Sequence, residues 1–270
     1  MVTRLAVISD VHGNLAALEA ALADIKRHKP DRVVVTGDLV FYGPRPAETV
    51  ERLRALENDG AAVISGNTDI AVADFDYAAA FPWMDEVPTS HRAAAEWAHD
   101  QLSDDQVDWL RHLPAERRLW ADSTLVLACH ASPGSQTAGL TTDLDPSVTM
   151  ERVTRTDARI ITCGHTHVAD VRELGRKLIC NPGSCGVPFD GSPDACWALL
   201  TIPDQPATAT EDSEAADEPD EEGVVDLASP TAELFRAPYD VSAASDEVAQ
   251  RGLPGDVYRA ATIRTGRLIT

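Results

Sequence analysis

Arg4-Leu5-Ala6-Val7-Ile8-Ser9-Asp10-Val11-His12-Gly13-Asn14 begins as a strand and leaves it on polar, ligand-type side chains. Leu5 to Ile8 are apolar without alternation, as in a strand covered on both faces. The next stretch, Asn14 to Lys26, carries apolar residues at helical spacing. Val33–Thr36 then reads as a second strand, Glu48–Leu56 as a second helix and Ala61–Ser65 as a third strand. This βαβαβ rhythm implies parallel strands joined by helical crossovers, so the strand ends converge on one edge of a sheet. Asp10, Asp38 and Asn67 each lie just past such an end, where sheets of this kind hold ligands.

Outward from that half, the pattern from Ile70 to Leu113 turns helical, with amphipathic helices expected at 91–102 and 104–113. Ser103 and Gln106 fit a capping box for the second. This block is expected to pack over one side of the site region. Strand-like segments then return at 117–121, 124–129, 159–163, 168–174, 177–180 and 196–202. They predict a second sheet, and hence an α/β fold with two sheets stacked between helical layers. Asp204–Glu222 holds nine acidic residues and no basic one, without apolar periodicity. Such a stretch cannot offset its ordering entropy and is expected to be a disordered surface loop. Strands are expected again at 224–227 and 232–237, then a helix at 245–251 and a short C-terminal element. The organisation expected is therefore a single domain over 1–270, with a helical insertion at 70–115 and the acidic loop at 204–222.

The chain has 270 residues, enough for a full core, and 44% of them are hydrophobic. Its charge is unusual: 23 basic residues stand against 44 acidic ones, for a net charge of −21. Only Lys26, Lys29 and Lys177 are lysines. An acidic, lysine-poor surface suits concentrated salt, where screening removes self-repulsion, and a halophilic source is the expectation. The same charge argues against stable non-specific nucleic-acid binding, which needs Lys and Arg on phosphates. No stretch has transmembrane length or a signal-peptide pattern, which gives the expectation of a cytoplasmic protein without a membrane partner. The five cysteines form no CxxC pair and read as buried thiols.

Five short motifs carry the chemistry: Asp10-Val11-His12-Gly13-Asn14, Gly37-Asp38, Gly66-Asn67-Thr68-Asp69, Cys129-His130-Ala131-Ser132 and Gly164-His165-Thr166-His167. They supply seven candidate metal ligands, Asp10, His12, Asp38, Asn67, His130, His165 and His167. On extended backbone, residues i and i+2 share a side, so Asp10 and His12 are expected to reach one cation. A carboxylate at Asp38 can bridge two cations, because its oxygens bind separately. Gly66 is expected to let the backbone turn sharply beside Asn67. Mixed oxygen and nitrogen donors without thiolate suit Mn, Fe, Co, Ni or Zn. Two cations need about seven protein ligands if one carboxylate bridges them and water fills the rest. The His165–His167 pair is the stronger sign of metal binding and the other motifs are weak alone, but their common order and mostly strand-end positions are hard to obtain by chance.

Together these motifs resemble the calcineurin-like metallophosphoesterase superfamily. Gly37-Asp38-Leu39-Val40-Phe41-Tyr42-Gly43-Pro44-Arg45-Pro46, Asn181-Pro182-Gly183-Ser184 and Ala237-Pro238-Tyr239-Asp240 resemble its small prokaryotic phosphoesterase and phosphodiesterase branch. The resemblance implies a four-layer αββα sandwich of two mixed β-sheets flanked by helices. It implies two divalent metal ions, Mn first and Fe, Ni, Co or Zn as alternatives. One would take Asp10, His12, Asp38 and His167; the other would take Asp38, Asn67, His130 and His165. Asp38, Asn67 and His130 are the residues expected to carry catalysis. The pair would share a water, lower its pKa toward neutrality and hydrolyse a small phosphoester, a diester before a monoester. No P-loop and no G-x-S-x-G nucleophile is present.

Many relatives carry His after the motif Asn, where it assists the leaving group; this chain has Thr68. Threonine cannot act as a general acid near neutral pH, so activity is expected to favour good leaving groups. Asn14, Tyr42, Arg45 and Thr68 are the candidate substrate contacts. His91, His99 and His112 read as solvated, and Trp83, Trp97 and Trp109 as helix packing. Two other functions compete: a non-catalytic scaffold of the same fold used for protein assembly, and a protein phosphatase. The first expects eroded ligands and the second a G-D-x-V-D-R-G signature, neither of which is found here. Oligomeric state stays open.

Overall fold

The computed structural model describes residues 2–204, 229–252 and 255–269. Its N-terminal half follows the predicted rhythm: β1 (Val2–Ile8), α1 (Leu15–His28), β2 (Arg32–Thr36), α2 (Pro46–Asn58) and β3 (Ala62–Ile64). Four helices come next: α3 (Asn67–Asp74), α4 (Tyr77–Ala80), α5 (Thr89–Asp100) and α6 (Asp104–His112). The second half runs β4 (Glu116–Ala121), β5 (Thr124–Cys129), α7 (Pro146–Val153), β6 (Ile160–Thr162), β7 (Asp170–Leu174), β8 (Lys177–Asn181) and β9 (Ala195–Pro203). After residues 205–228 come β10 (Thr231–Ala237), α8 (Val241–Ala249) and α9 (Asp256–Thr265).

The strands form two five-stranded mixed sheets, in the orders β10-β9-β1-β2-β3 and β4-β5-β6-β8-β7. In the first, β1 pairs parallel with β2 (Val7 opposite Val34) and β2 with β3 (Val35 opposite Val63). β9 adds antiparallel to β1, and β10 to β9. In the second, β5, β6 and β8 are parallel, with antiparallel β4 and β7 at the edges. Leu5, Val7 and Val34 of one sheet bury against Val126, Ala128 and Ile160 of the other, so the sheets meet face to face. The outer face of the first sheet packs Ile8 and Val35 on Leu18 and Leu22 of α1 and on residues of α3 and α5. The outer face of the second packs Leu127 and Ile161 on Val153 of α7. Helix, sheet, sheet, helix is the four-layer αββα sandwich expected from the resemblance.

β1, β2, β3, β5 and β6 direct their C-terminal ends to the same rim, which fixes where the predicted ligands can meet. Sequence periodicity did not resolve α7, an eight-residue helix started by Asp145, whose side chain accepts from Ser147 N. The C-terminal helix expected at 245–251 spans 241–249, because Asp240 caps it by accepting from Ala243 N. The Ser103–Gln106 capping box forms as expected. His112 is exposed, but His91 and His99 are half-buried, contrary to expectation. His91 sits among Phe41, Tyr42 and Phe81, and His99 against the Val72 carbonyl. Trp97 stacks under the Arg251 guanidinium and Trp109 donates to Glu57, as packing residues do. Trp83 departs from that role and is 54% exposed. The acidic segment, but for Asp204, and the strand expected at 224–227 lie outside the described residues. No helix among the described residues is long and apolar enough to cross a membrane.

Candidate metal centre

The loops that follow the parallel strands are laced together by backbone hydrogen bonds beyond the strand ends. Asp10 N donates to Gly37 O, His12 N to Asp38 O, Gly164 N to His130 O and Gly186 N to Asp10 O. Five segments from both sheets thereby converge on one buried pocket of donor atoms. Asp10, His12, Asp38 and His167 bring one ligand atom each within 4.8 Å of one another, and so do Asp38, His130 and His165. Asn67 joins the second set, its Oδ1 lying 3.0 Å from both His130 Nε2 and His165 Nδ1. All seven predicted ligand residues are therefore brought together.

Asp38 stands between the two sets. Its Oδ2 lies 3.7 Å from His12 Nε2, and its Oδ1 lies 3.4 Å from His130 Nε2. Across the first set, His167 Nε2 is 3.4 Å from Asp10 Oδ1 and 3.1 Å from His12 Nε2. Three imidazoles are held by backbone carbonyls. The Nδ1–H groups of His12, His130 and His167 donate to Phe41, Thr36 and Val187 at 3.0, 2.7 and 2.5 Å. That arrangement leaves Nε2 of each facing the pocket, the orientation that outer hydrogen bonds impose on metal-binding histidines. Asn67 is oriented likewise, because its Nδ2 donates to Ala80 O and turns Oδ1 inward. Lone pairs this close repel unless a cation or a proton lies among them, so the donor set fits a pair of divalent cations.

Protons take that role when no cation does. Burial works against charge on His130, but Asp38 and Asp10 more than offset it, and the imidazolium persists to about pH 9. His167 is also raised, against burial, by Asp10. Burial, reinforced by the neighbouring imidazoles His167 and His130, pushes His12 and His165 down to about 4. Asp10 and Asp38 are lowered despite burial, by His167 and His130 respectively.

The local backbone corrects two details of the sequence reading. Asp10 and His12 share a cation set, but not through extended backbone: both are left-handed, with φ of 54° and 51°. Asp38, His165 and His167 are left-handed too, at 55°, 69° and 58°. Five of the nine described non-glycine residues with positive φ are thus predicted ligands, which marks the rim as the strained part of the chain. Gly66 is extended rather than sharply turned, with φ −108° and ψ −179°. Glycine is needed there for space, since a Cβ would overlap Asp38 Oδ1 and the Asp38 backbone nitrogen. Gly164 keeps the same clearance for Asp10 Oδ2 and Ser9 Oγ.

The predicted substrate contacts divide. Asn14 is buried and fully engaged, with Oδ1 accepting from Ala17 N and Nδ2 donating to Gly186 O and Tyr239 Oη. Arg45 points to Glu247 at 2.9 Å, on the surface. Tyr42 is half-buried, its ring 6.2 Å from that of His12 on one side and 4.0 Å from the Arg259 guanidinium on another. Thr68 donates its backbone N–H to Asp38 Oδ1, while its own Oγ1 is buried without a hydrogen-bond partner. Asp69 finds other work than orienting an imidazole: it accepts from Gly66 N and Leu39 N and ties two ligand loops together. Burial and the nearby Asp38 carboxylate push it up to about 7. The carbonyls of Thr36, Phe41 and Val187 were invisible in sequence, because every residue type offers one.

Comparison with known proteins agrees with this geometry. A protein of unassigned function from Methanocaldococcus jannaschii is 28% identical over 211 residues, covering 73% of this chain and 82% of its own. The symmetrical bis(5′-nucleosyl)-tetraphosphatase of Psychromonas ingrahamii is 39% identical over 66 residues, 24% of this chain and 23% of that one. A metallophosphoesterase from Sphaerobacter thermophilus superposes with a TM-score of 0.67 at 27% identity, covering 97% of this chain and 99% of its own. A hypothetical protein from Pyrococcus horikoshii shares the fold, with a TM-score of 0.75 at 19% identity and coverage of 97% and 98%. The family model described as the calcineurin-like phosphoesterase superfamily domain matches residues 3–205, and the chain belongs to that superfamily.

Proposed function

We propose that the chain hydrolyses phosphoesters with two divalent cations held by the seven converging side chains, manganese being the first to test. The observation that carries this is Asp38, which offers one carboxylate oxygen to each donor set. Asp10, His12, Asp38 and His167 would hold one cation, and Asp38, Asn67, His130 and His165 the other. Bound there, such a pair would supply Lewis acidity toward phosphate oxygens and an activated water. The protein's own part is positioning. Carbonyls hold His12, His130 and His167 in one tautomer, and Ala80 O holds the Asn67 amide. Asp69 keeps the Asp38 and Asn67 loops in register.

Diesters and nucleotide-type substrates are favoured over monoesters of poor leaving groups, because Thr68 offers no proton near neutral pH. The tetraphosphatase relative is named for a nucleotide substrate, which supports this class. Full occupancy of the ligand positions argues for catalysis over a scaffold role. The experiment is a panel of aryl monoesters, aryl diesters and nucleotide esters, with Mn and with chelator, in dilute buffer and in molar KCl. Hydrolysis that chelator abolishes and Mn restores is expected, alongside about two metal equivalents per chain by elemental analysis. Activity indifferent to chelator, or none with any metal, overturns the proposal. Greater activity and stability in molar KCl are expected from the acidic, lysine-poor surface.

A further inference from the structure

An unbroken arc of aromatic rings borders the centre from one donor set to the other. It runs from His12 to Tyr42 (6.2 Å between centroids), His91 (5.7 Å), Phe81 (5.7 Å), Trp83 (5.9 Å) and back to His165 (6.0 Å). Phe81, Trp83 and His91 come from the α4–α5 region, outside every ligand motif. Most of the arc is packing. Phe81 is buried, and Tyr42 and His91 are half-buried and hemmed in by Arg259 and Phe41. Trp83 alone in it is more than half exposed, at 54%.

Exposure by itself decides nothing, since Trp120 is 68% exposed on edge strand β4. Position distinguishes the two. Trp83 stands edge-on to His165, at an interplanar angle of 72°. His165 is also the one residue of the seven ligand candidates that is not buried, so the centre opens to solvent on its side. A phosphate bound at the centre would therefore extend its ester group past His165 toward the indole. Phe81 makes a T-shaped contact with the same indole at 87°, which supports it from within. An indole supported by two ring contacts, with more than half of its surface open beside the centre, is suited to stack a flat ring.

Taking the phosphoesterase activity proposed above as its basis, we infer that Trp83 determines specificity by stacking on a flat aromatic ester group of the substrate, a nucleobase or an aryl ring. Two pairs of non-hydrolysable probes test it on the Mn-loaded protein. Phenylphosphonate is compared with methylphosphonate, and α,β-methylene adenosine diphosphate with methylenediphosphonate, by calorimetry and tryptophan fluorescence. Stacking on an aromatic side chain is worth on the order of ten-fold in affinity. Trp83→Ala is expected to weaken the aromatic member of a pair by about that factor and to leave the small member within about two-fold. Trp83→Phe is expected to retain most of the affinity while losing the quench of indole fluorescence. A response in the adenosine pair alone identifies a nucleobase, and in the phenyl pair alone a simple aryl ester. Equal weakening of both members, or no weakening of either aromatic probe, overturns the assignment while leaving hydrolysis intact. If wild-type protein binds none of the four probes and hydrolyses nothing, the phosphoesterase proposal falls and this inference falls with it. Trp83 is a surface residue, so melting temperatures matching wild type are expected for both variants.

Discussion

The candidate metal centre and the aromatic arc meet at His165, yet they are built in opposite ways. Every donor of the candidate centre except His165 is buried, follows a strand end within a few residues and is fixed by hydrogen bonds to backbone or by left-handed backbone. The arc draws on a short turn between helices, and its outermost member is open to solvent. Rigid placement of charge-bearing groups is what activation of a phosphate requires, because a preorganised site need not reorganise during reaction. Recognition of the rest of a substrate tolerates a softer, exposed surface, as stacking depends little on exact register. On the function proposed above, chemistry would fall to the strand ends and substrate choice to the helical block.

The largest effect should come from breaking the centre while sparing the arc. Asp38→Asn keeps a side chain that tolerates the left-handed backbone at this position but removes the charge shared by both donor sets. Turnover is expected to fall on the order of 10³-fold, and bound metal to drop from two equivalents toward one. Far-ultraviolet circular dichroism should stay native. Two retained metal equivalents with near-normal turnover would show that Asp38 does not link the sets.

How much of this contrast the sequence disclosed follows from the same division. Asp10, His12, Asp38, Asn67, His130, His165 and His167 were legible as a converging set because strand patterns are strong and each sits within a few residues of a strand end. The two-sheet fold was legible for the same reason, through unbroken apolar runs such as Val33–Thr36 and Thr124–Cys129. The left-handed backbone at Asp10 and His12 was not, because it is imposed by the lacing between loops rather than by local residue preference. Gly66 carried the right signal with the wrong cause: its missing Cβ makes room for a carboxylate 28 residues earlier in the chain. Trp83 was read as helix packing, and its exposed place beside His165 was not legible because helical spacing cannot say which indole lies there. Helix α7 was short and started by a proline and an aspartate cap, signals weaker than the strands on either side.

A second test concerns protons and discriminates the centre's paired charges from a generic buried cluster. At pH 7.5 the metal-free centre holds a proton on His130, Asp10 favours one on His167, and His12 and His165 are neutral. Metal binding must displace them, so about one to two protons should be released per chain, measurable by calorimetry in buffers of different ionisation enthalpy. The metal-free stability curve follows with defined signs. His130 is raised above its ordinary 6.5, so its contribution is fully present below that pH and is lost as pH climbs toward about 9. His12 and His165 are lowered, so the unfolded chain binds more protons between about 4 and 6.5, and stability rises with pH there. Metal-free protein should therefore melt highest near pH 6.5 and lose stability on either side. A melting temperature flat from pH 6.5 to 9, with no proton release on loading, would contradict the pairing of Asp38 with His130.

The smallest expected effect lies where centre and substrate chemistry meet, at Thr68. Its backbone N–H donates to Asp38, but its hydroxyl is buried without a hydrogen-bond partner and cannot deliver a proton to a departing alkoxide. Wild-type turnover should consequently fall steeply as leaving-group pKa rises across a series of aryl and alkyl esters. Thr68→His restores an imidazole whose charge Asp69 could support, although Asp69 is already committed to Leu39 N and Gly66 N. The new acid would be imperfectly placed, so the gain with alkyl leaving groups should be several-fold, well short of the roughly 10²–10⁴ of a positioned general acid. Aryl esters, whose leaving groups need no proton, should change little, and the dependence on leaving-group pKa should flatten. A uniform change across the series would mean that Thr68 acts on binding alone, and would return the control of substrate choice wholly to the arc around Trp83.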